Sequence, residues 1–346
     1  MSSSVAADSA LIDAFGRVAS DLRISLTDKC SLRCTYCMPA EGLPWLRKAE
    51  LLTDDEIVRL ADIFVGLGVV SIRLTGGEPL LHPTLPGVVG RLAALEPRPE
   101  LSLTTNGIGL VRVAEPLVAA GLDRVNVSID TLDRQRFREL TRRDRLPDVL
   151  DGIAAAAAAG LHPVKVNAVL MRGSNLPEAP DLLAWALGHG YRMRFIEHMP
   201  LDAQHEWTRQ AMVTADEMLE LLSAHFTLRP IGRVGHESAP AEDFEVLDGP
   251  GAEGWPERPG RLGVIASVTR PFCRDCDRLR LTADGQLRTC LFARTETDLR
   301  GSLRGGAGDD EIAELIRVAV AGKQSGHGID AADFVQPVRP MSAIGG

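Results

Sequence analysis

Six short segments of this chain read as strands, and stretches of helical character separate them. They lie at about 21–27, 69–75, 100–105, 123–129, 163–170 and 192–197. Strand followed by helix, repeated, implies parallel strands joined by crossover helices and hence an α/β fold. Thr53-x-x-Glu56 reads as a capping box that opens a helix to about Leu67. Residues 110–120, 147–160 and 177–189 read as further helices.

A parallel strand covered on both sides is apolar on both faces. These strands are not. Leu22, Ile24 and Leu26 stand opposite Arg23 and Ser25, and Ile72 and Leu74 oppose Arg73 and Thr75. Leu101 and Leu103 oppose Ser102 and Thr104, while Val125, Val127 and Ile129 oppose Asn126 and Ser128. Val164, Val166 and Ala168 oppose Lys165 and Asn167. Helices laid over the apolar faces turn the polar faces toward a common interior. A standard eight-stranded barrel fills that interior with branched apolar side chains. Cations buried there without partners are costly, so a wet cavity that receives a polar, anionic ligand is expected. An antiparallel sheet with one solvated face is the competing arrangement, but the intervals between strands are too long for hairpins.

After Met199 the pattern loosens. Thr214-x-x-Glu217 caps one more helix, and 232–262, rich in Gly, Pro and acidic residues, reads as irregular. Cys273 to Cys290 forms its own small unit, a helix follows near 309–321, and the tail from Gly322 shows no strong periodicity. The expected division is an N-terminal segment (1–20), a barrel unit (21–230) and a C-terminal region (231–346).

The net charge of −9 and 4% aromatic content exclude a broad nucleic-acid surface, which needs a basic face and stacking platforms. An anionic ligand must then meet a local cluster of cations. Arg outnumbers Lys 34 to 4, so each lysine stands out. The longest apolar run, Ile153 to Ala159, is far shorter than the roughly 20 residues of a membrane helix. The first fifteen residues lack a signal-peptide pattern. A cytoplasmic protein with no membrane partner is expected.

The six cysteines form two groups of three, Cys30-x3-Cys34-x2-Cys37 and Cys273-x2-Cys276-x13-Cys290. Clustered cysteines in a cytosolic chain point to metal or catalysis more than to disulfides. Three thiolates hold three irons of a four-iron cluster and leave one iron open to a small molecule. Zinc with a distant fourth ligand is the other option at each group. Arg270, Arg274, Arg278, Arg280 and Arg288 surround the second group, and Arg278-Leu279-Arg280, if extended, sets two guanidinium groups on one face. Such forks match phosphate oxygens, although a solvated strand paired to Asp275 and Asp277 is the plainer reading.

Cys30-x3-Cys34-x2-Cys37 follows directly on the first strand, with Tyr36 just before the third cysteine. It resembles the signature of the radical S-adenosylmethionine enzymes. Gly76-Gly77-Glu78-Pro79, after the second strand, resembles that family's second motif. The resemblance implies that the open iron chelates the amino and carboxylate groups of S-adenosylmethionine, which the reduced cluster cleaves to a 5′-deoxyadenosyl radical. The two cysteine groups together resemble the branch of the family that cyclises GTP at the start of molybdenum cofactor biosynthesis. That likeness covers nearly the whole chain. It includes Phe15-Gly16-Arg17, Asp28-Lys29-Cys30, Thr104-Thr105-Asn106-Gly107, Val127-Ser128-Ile129-Asp130 and the terminal Gly345-Gly346.

This resemblance implies a partial (βα)6 TIM-type barrel with a C-terminal iron–sulfur extension. It implies two [4Fe-4S] clusters, held by Cys30, Cys34 and Cys37 and by Cys273, Cys276 and Cys290. Tyr36, Gly77, Ser128 and Met199 would contact S-adenosylmethionine. Arg23, Arg73, Thr104 and Lys165 would contact GTP, with Arg278, Leu279 and Arg280 completing the pocket beside the second cluster. Gly345 and Gly346 would reach back into the active site. Read alone, Met199 is core packing, Thr104 an ordinary strand residue and Gly345-Gly346 a frayed end. The implied reaction is cyclisation of GTP to (8S)-3′,8-cyclo-7,8-dihydroguanosine 5′-triphosphate, fed by an external low-potential electron donor. A homodimer is allowed for. Two rivals stand. A radical peptide-modifying enzyme with auxiliary clusters usually has more C-terminal cysteines. A non-catalytic iron–sulfur or zinc nucleotide-binding protein needs neither the polar strand faces nor Gly76 to Pro79.

Overall fold

A computed structural model describes residues 10–235, 238–331 and 333–345. Gly346 therefore lies outside the described residues.

The first half follows the expected alternation. In chain order it runs β1 (Asp21–Ser25), α1 (Asp54–Gly66), β2 (Ser71–Thr75), α2 (Leu85–Ala93), β3 (Glu100–Thr105), α3 (Ala114–Ala119) and β4 (Arg124–Ser128). It continues with α4 (Arg134–Thr141), α5 (Leu146–Ala158), β5 (Lys165–Leu170), α6 (Ala179–Gly188) and β6 (Arg192–Glu197). Both capping boxes form. Thr53 Oγ1 accepts from Glu56 N while Thr53 N donates to Glu56 Oε2, and Thr214 with Glu217 repeats the pattern at α7 (Ala215–Ser223). Helices α2 and α4 are additions to the sequence reading. α4 carries few apolar residues besides Phe137 and Leu140, and Asp133 caps it by accepting from Arg136 N.

Strands β1 to β6 pair in sequence, all parallel. The register sets Arg23 beside Arg73, Arg73 beside Ser102, Thr104 beside Asn126, and Asn167 beside Arg194. The apolar faces are fully buried against the helices: Leu22, Ile24, Ile72, Leu74, Leu103, Val125, Val127, Val164 and Val166 have no exposed surface. Burial of this layer is the main stabilising term of the fold. The polar faces point the other way.

The expectation of an irregular 232–262 is overturned. Strands β7 (Thr227–Gly232), β8 (Glu242–Asp248) and β9 (Gly260–Ile265) form an antiparallel run, and β9 joins β6 in parallel. Phe244 and Val246 pair with Leu262 and Gly260, so period-2 alternation is present but interleaved with Glu and Asp, on a strand held between β7 and β9. At the other end β10 (Arg278–Leu281) adds to β1 in parallel, followed by antiparallel β11 (Gln286–Arg288) and β12 (Thr297–Asp298). The sheet order is β12-β11-β10-β1-β2-β3-β4-β5-β6-β9-β8-β7. The six-strand barrel is thus extended by one parallel strand on each side, and its two outer parallel strands do not pair with one another. The boundary drawn at 230/231 lies inside β7. Helices α8 (Leu299–Arg304), α9 (Asp309–Ala321) and the short α10 (Met341–Ile344) complete the chain. No helix among the described residues is long and apolar enough to cross a membrane.

Candidate active site

The polar faces of the strands enclose two adjoining cavities. The larger has a volume of about 280 Å³ and includes Arg23, Arg73, Asn167, Arg194, Arg278 and Arg280 in its wall, together with all of Cys273, Cys276 and Cys290. The smaller, about 170 Å³, is lined by Cys30, Cys34, Cys37, Gly76, Gly77, Glu78 and Asn106. Tyr36, Thr104, Ser128, Asp130 and Met341 belong to both walls, so the cavities of the two cysteine groups abut on the same side of the sheet.

The first cysteine loop is held from below. Gly77 N donates to Thr27 O and Glu78 N to Lys29 O, so the loop after β2 packs backbone to backbone against the loop after β1. A Cβ on Gly77 would lie 2.3 Å from Lys29 O and 2.5 Å from Asp28 O, which only glycine avoids. Gly76, with φ +141, meets Thr27 O in the same way. Glu78 is buried and accepts from Thr105 Oγ1, Asn106 N and Leu80 N. Burial pushes its carboxyl up to about 7 despite those three donors. Tyr36 donates to Asp130 Oδ2 at 2.7 Å, and Asp130 Oδ1 accepts from Val169 N.

All six cysteines are free. Burial raises the first three thiols, Cys30 to about 11 and Cys37 to about 12, with Cys34 well above its ordinary value. Such thiols keep their protons until a metal displaces them. Among the described residues no three His, Cys, Asp or Glu are gathered as a single metal ion would require. The donor chemistry fits an iron–sulfur cluster at each group: three unpaired thiols line each cavity, with hydrogen-bond donors at the sulfurs. Asn106 Nδ2 lies 3.8 Å from Cys30 Sγ, Phe292 N 3.4 Å from Cys290 Sγ, and Lys323 Nζ 3.7 Å from Cys276 Sγ.

Between the cysteine groups the interior is cationic. Burial and mutual repulsion pull the guanidinium groups down, Arg23 to about 9 and both Arg73 and Arg194 to about 10, with Arg280 well below its ordinary value. The Nε atoms of Arg23 and Arg73 are buried without a hydrogen-bond partner. Cations stacked this way are stabilised by an anion placed among them.

Arg23, Arg73, Thr104, Ser128, Met199, Tyr36, Arg278 and Arg280 all line the larger cavity, as expected, and Gly77 lines the smaller. Lys165 lies apart, in a cavity of about 120 Å³ at the start of β5 and β6 that it shares with Arg192, Arg194, Asp243 and Arg261. Arg194 lines both chambers and links them. Leu279 is fully buried in the apolar core on the face away from the cavity, so its side chain does not reach the interior. Of the five arginines near the second group, Arg270 pairs with Asp216 and Glu242, and Arg288 with Glu296, outside the cavity. Gly345 is inside: its carbonyl accepts from Arg280, and the preceding Ile344 carbonyl accepts from Ser25 Oγ. Sequence reasoning missed Arg194, although Met193 and Phe195 flank it with the same alternation as the earlier strands. It also missed Asp130 as the partner of Tyr36.

Comparison with known proteins bears on this arrangement. Residues 24–186 match the model of the radical SAM superfamily, and 191–329 match that of Molybdenum Cofactor Synthesis C. A GTP 3′,8-cyclase of Streptomyces coelicolor is 64% identical over 97% of this chain and 96% of its own length. GTP 3′,8-cyclase 2 of Mycobacterium tuberculosis is 58% identical over 97% of this chain and 92% of its own. Among solved structures, Streptococcus suis SuiB superposes with a TM-score of 0.58 at 14% identity, over 91% of this chain and 68% of that one, a likeness of fold.

Proposed function

The chain belongs to the GTP 3′,8-cyclase family of radical S-adenosylmethionine enzymes, and from that premise we infer that it cyclises GTP to (8S)-3′,8-cyclo-7,8-dihydroguanosine 5′-triphosphate, an early step of molybdenum cofactor biosynthesis. The observation that carries the reading is the pair of abutting cavities, one at each cysteine group, with buried cations in the wall of the larger.

Cys30, Cys34 and Cys37 would hold one [4Fe-4S] cluster, and Cys273, Cys276 and Cys290 a second. When bound and reduced, the first cluster with S-adenosylmethionine supplies a carbon radical able to take the hydrogen from the ribose 3′ carbon. The protein's part is placement. Gly76 and Gly77 let the loop after β2 pack directly under the first cysteine loop and so fix the floor on which S-adenosylmethionine would rest, and Tyr36, Ser128 and Met199 form its walls. Arg23, Arg73 and Arg194 hold the triphosphate, and Lys165 receives its far end through Arg194. Arg278, Arg280 and Thr104 bound the nucleoside, with the backbone of Leu279 between the two arginines. Gly345 closes the interior against water. Fixed cations of this kind align the ribose before reaction and need no reorganisation during it. An external low-potential donor and a cytoplasmic location complete the reading, which allows a homodimer without requiring one.

Substrate and product are isomers: a C3′–C8 bond forms, hydrogen leaves the ribose and hydrogen is returned to the guanine ring. The test is anaerobic incubation of the reconstituted protein with GTP, S-adenosylmethionine and a strong reductant, followed by mass spectrometry. 5′-Deoxyadenosine together with a new isomer of GTP is expected. 5′-Deoxyadenosine with unaltered GTP would overturn the assignment.

A further inference from the structure

Lys323 is one of only four lysines in the sequence, and it is 4% exposed. It lies two residues beyond the end of α9, after the C-cap Gly322. Its ammonium donates to Cys276 O at 2.8 Å and to Arg278 O at 3.0 Å, and it stands 3.7 Å from Cys276 Sγ. No carboxylate among the described residues accepts from it or forms an ion pair with it. A buried ammonium whose hydrogen-bond partners are two carbonyls and a sulfur, and whose attraction to Asp13 stops short of an ion pair, is under-compensated, and such a group is costly unless an anion arrives. Three donors on a flexible stem match a pocket that offers two carbonyls and a sulfur. Arg17 braces the same loop from the other side, donating to Cys273 O and to Gln324 O. The segment after α9 is thereby tied to both cysteines of the Cys273–Cys276 turn. At the first cysteine group the corresponding donor is the uncharged amide of Asn106.

We propose that Lys323 is the counter-ion of the second iron–sulfur cluster, a positioning residue that holds the Cys276 turn and raises that cluster's reduction potential. The inference rests on the two-cluster reading above. A cation at a ligating sulfur stabilises the more negative, reduced state of a cluster. Removing the charge makes the cluster harder to reduce while leaving its three thiolates in place.

The test is an anaerobic redox titration followed by electron paramagnetic resonance, without GTP, on the reconstituted full chain, Lys323→Gln and Lys323→Arg, with iron content and thermal melting measured alongside. Lys323→Gln is expected to keep both clusters and to show about a tenfold lower reduced-to-oxidised ratio of the second cluster at fixed potential, equal to a shift of about 59 mV for a one-electron couple. The first cluster should titrate as in the parent, and Lys323→Arg should stay close to it. An unshifted second cluster in Lys323→Gln would overturn the inference. If Lys323→Gln melts normally but loses only the second cluster, its retention in Lys323→Arg supports the counter-ion role, and its loss in both variants refutes it. A parent chain that holds a single cluster would contradict the two-cluster reading itself, and the inference with it.

Discussion

Arg280 donates to the carbonyl oxygen of Gly345, so a residue of the second cysteine unit holds the end of the chain against the inside of the barrel. Gly345 adopts φ +85, and a Cβ there would lie 2.1 Å from Ser25 Oγ on β1. The chain end can occupy the interior only as glycine. Gly345→Ala should therefore displace the closure. GTP turnover is expected to fall about 100-fold, the scale of an ångström-level misplacement, while iron content and uncoupled S-adenosylmethionine cleavage persist. Unchanged turnover would show that the tail does not seal the site.

Arg73 sits between Arg23 and Ser102 in register, buried, with its Nε lacking a hydrogen-bond partner. Arg73→Ala removes a cation placed for the triphosphate. A loss of roughly 100-fold or more in kcat/KM for GTP is expected, with cleavage of S-adenosylmethionine continuing uncoupled. Steady-state assays that quantify both products decide it.

Burial and the neighbouring Arg194, Arg124 and Arg73 push the Lys165 ammonium down to about 7. At pH 8 the free protein therefore carries Lys165 mostly neutral. A bound triphosphate supplies the opposite charge and raises that value, so binding takes up a proton and weakens as pH rises through 7. Calorimetry of GTP binding at pH 8 in buffers of different ionisation enthalpy should report proton uptake in the parent. Lys165→Arg, whose guanidinium keeps its proton throughout, should show none. Equal uptake in both would assign the proton elsewhere.

The close approach of Gly77 to Lys29 O and Asp28 O ties the loop after β2 to the residues just before Cys30. Gly77→Ala has no room and must shift the first cysteine loop. Reconstituted iron is expected to drop from about eight to about four per chain, with the second cluster retained. Full iron content with normal S-adenosylmethionine affinity would contradict the packing argument.

Much of the barrel was legible because burial writes a period of two into its strands. Leu22 and Ile24 against Arg23, or Val125 and Val127 against Asn126, separate core from interior without reference to any relative. The cavity followed from the cost of burying those polar residues. Where burial is partial the signal fades. Phe244 and Val246 of β8 alternate as clearly, but the acidic residues on its half-exposed face gave the segment the composition of a loop. That Arg278 and Arg280 share one face was readable from spacing alone, while their place in the pocket came from resemblance, and Leu279 between them belongs to the opposite face. Nothing in the pattern after Gly322 distinguishes a tail that turns back into the barrel; only resemblance pointed to Gly345. Lys323 stood out in the sequence for its rarity, but its partners on Cys276 and Arg278 arise from tertiary packing.

The account centres on one interior that brings the two cysteine groups to the same substrate. The most direct measurement uses GTP deuterated at the ribose 3′ carbon, incubated anaerobically with S-adenosylmethionine and reductant. The 5′-deoxyadenosine formed should carry the deuterium, in proportion to the cyclised nucleotide. Cyclised product accompanied by unlabelled 5′-deoxyadenosine would mean that the ribose does not face the first cluster, and would contradict the arrangement described here.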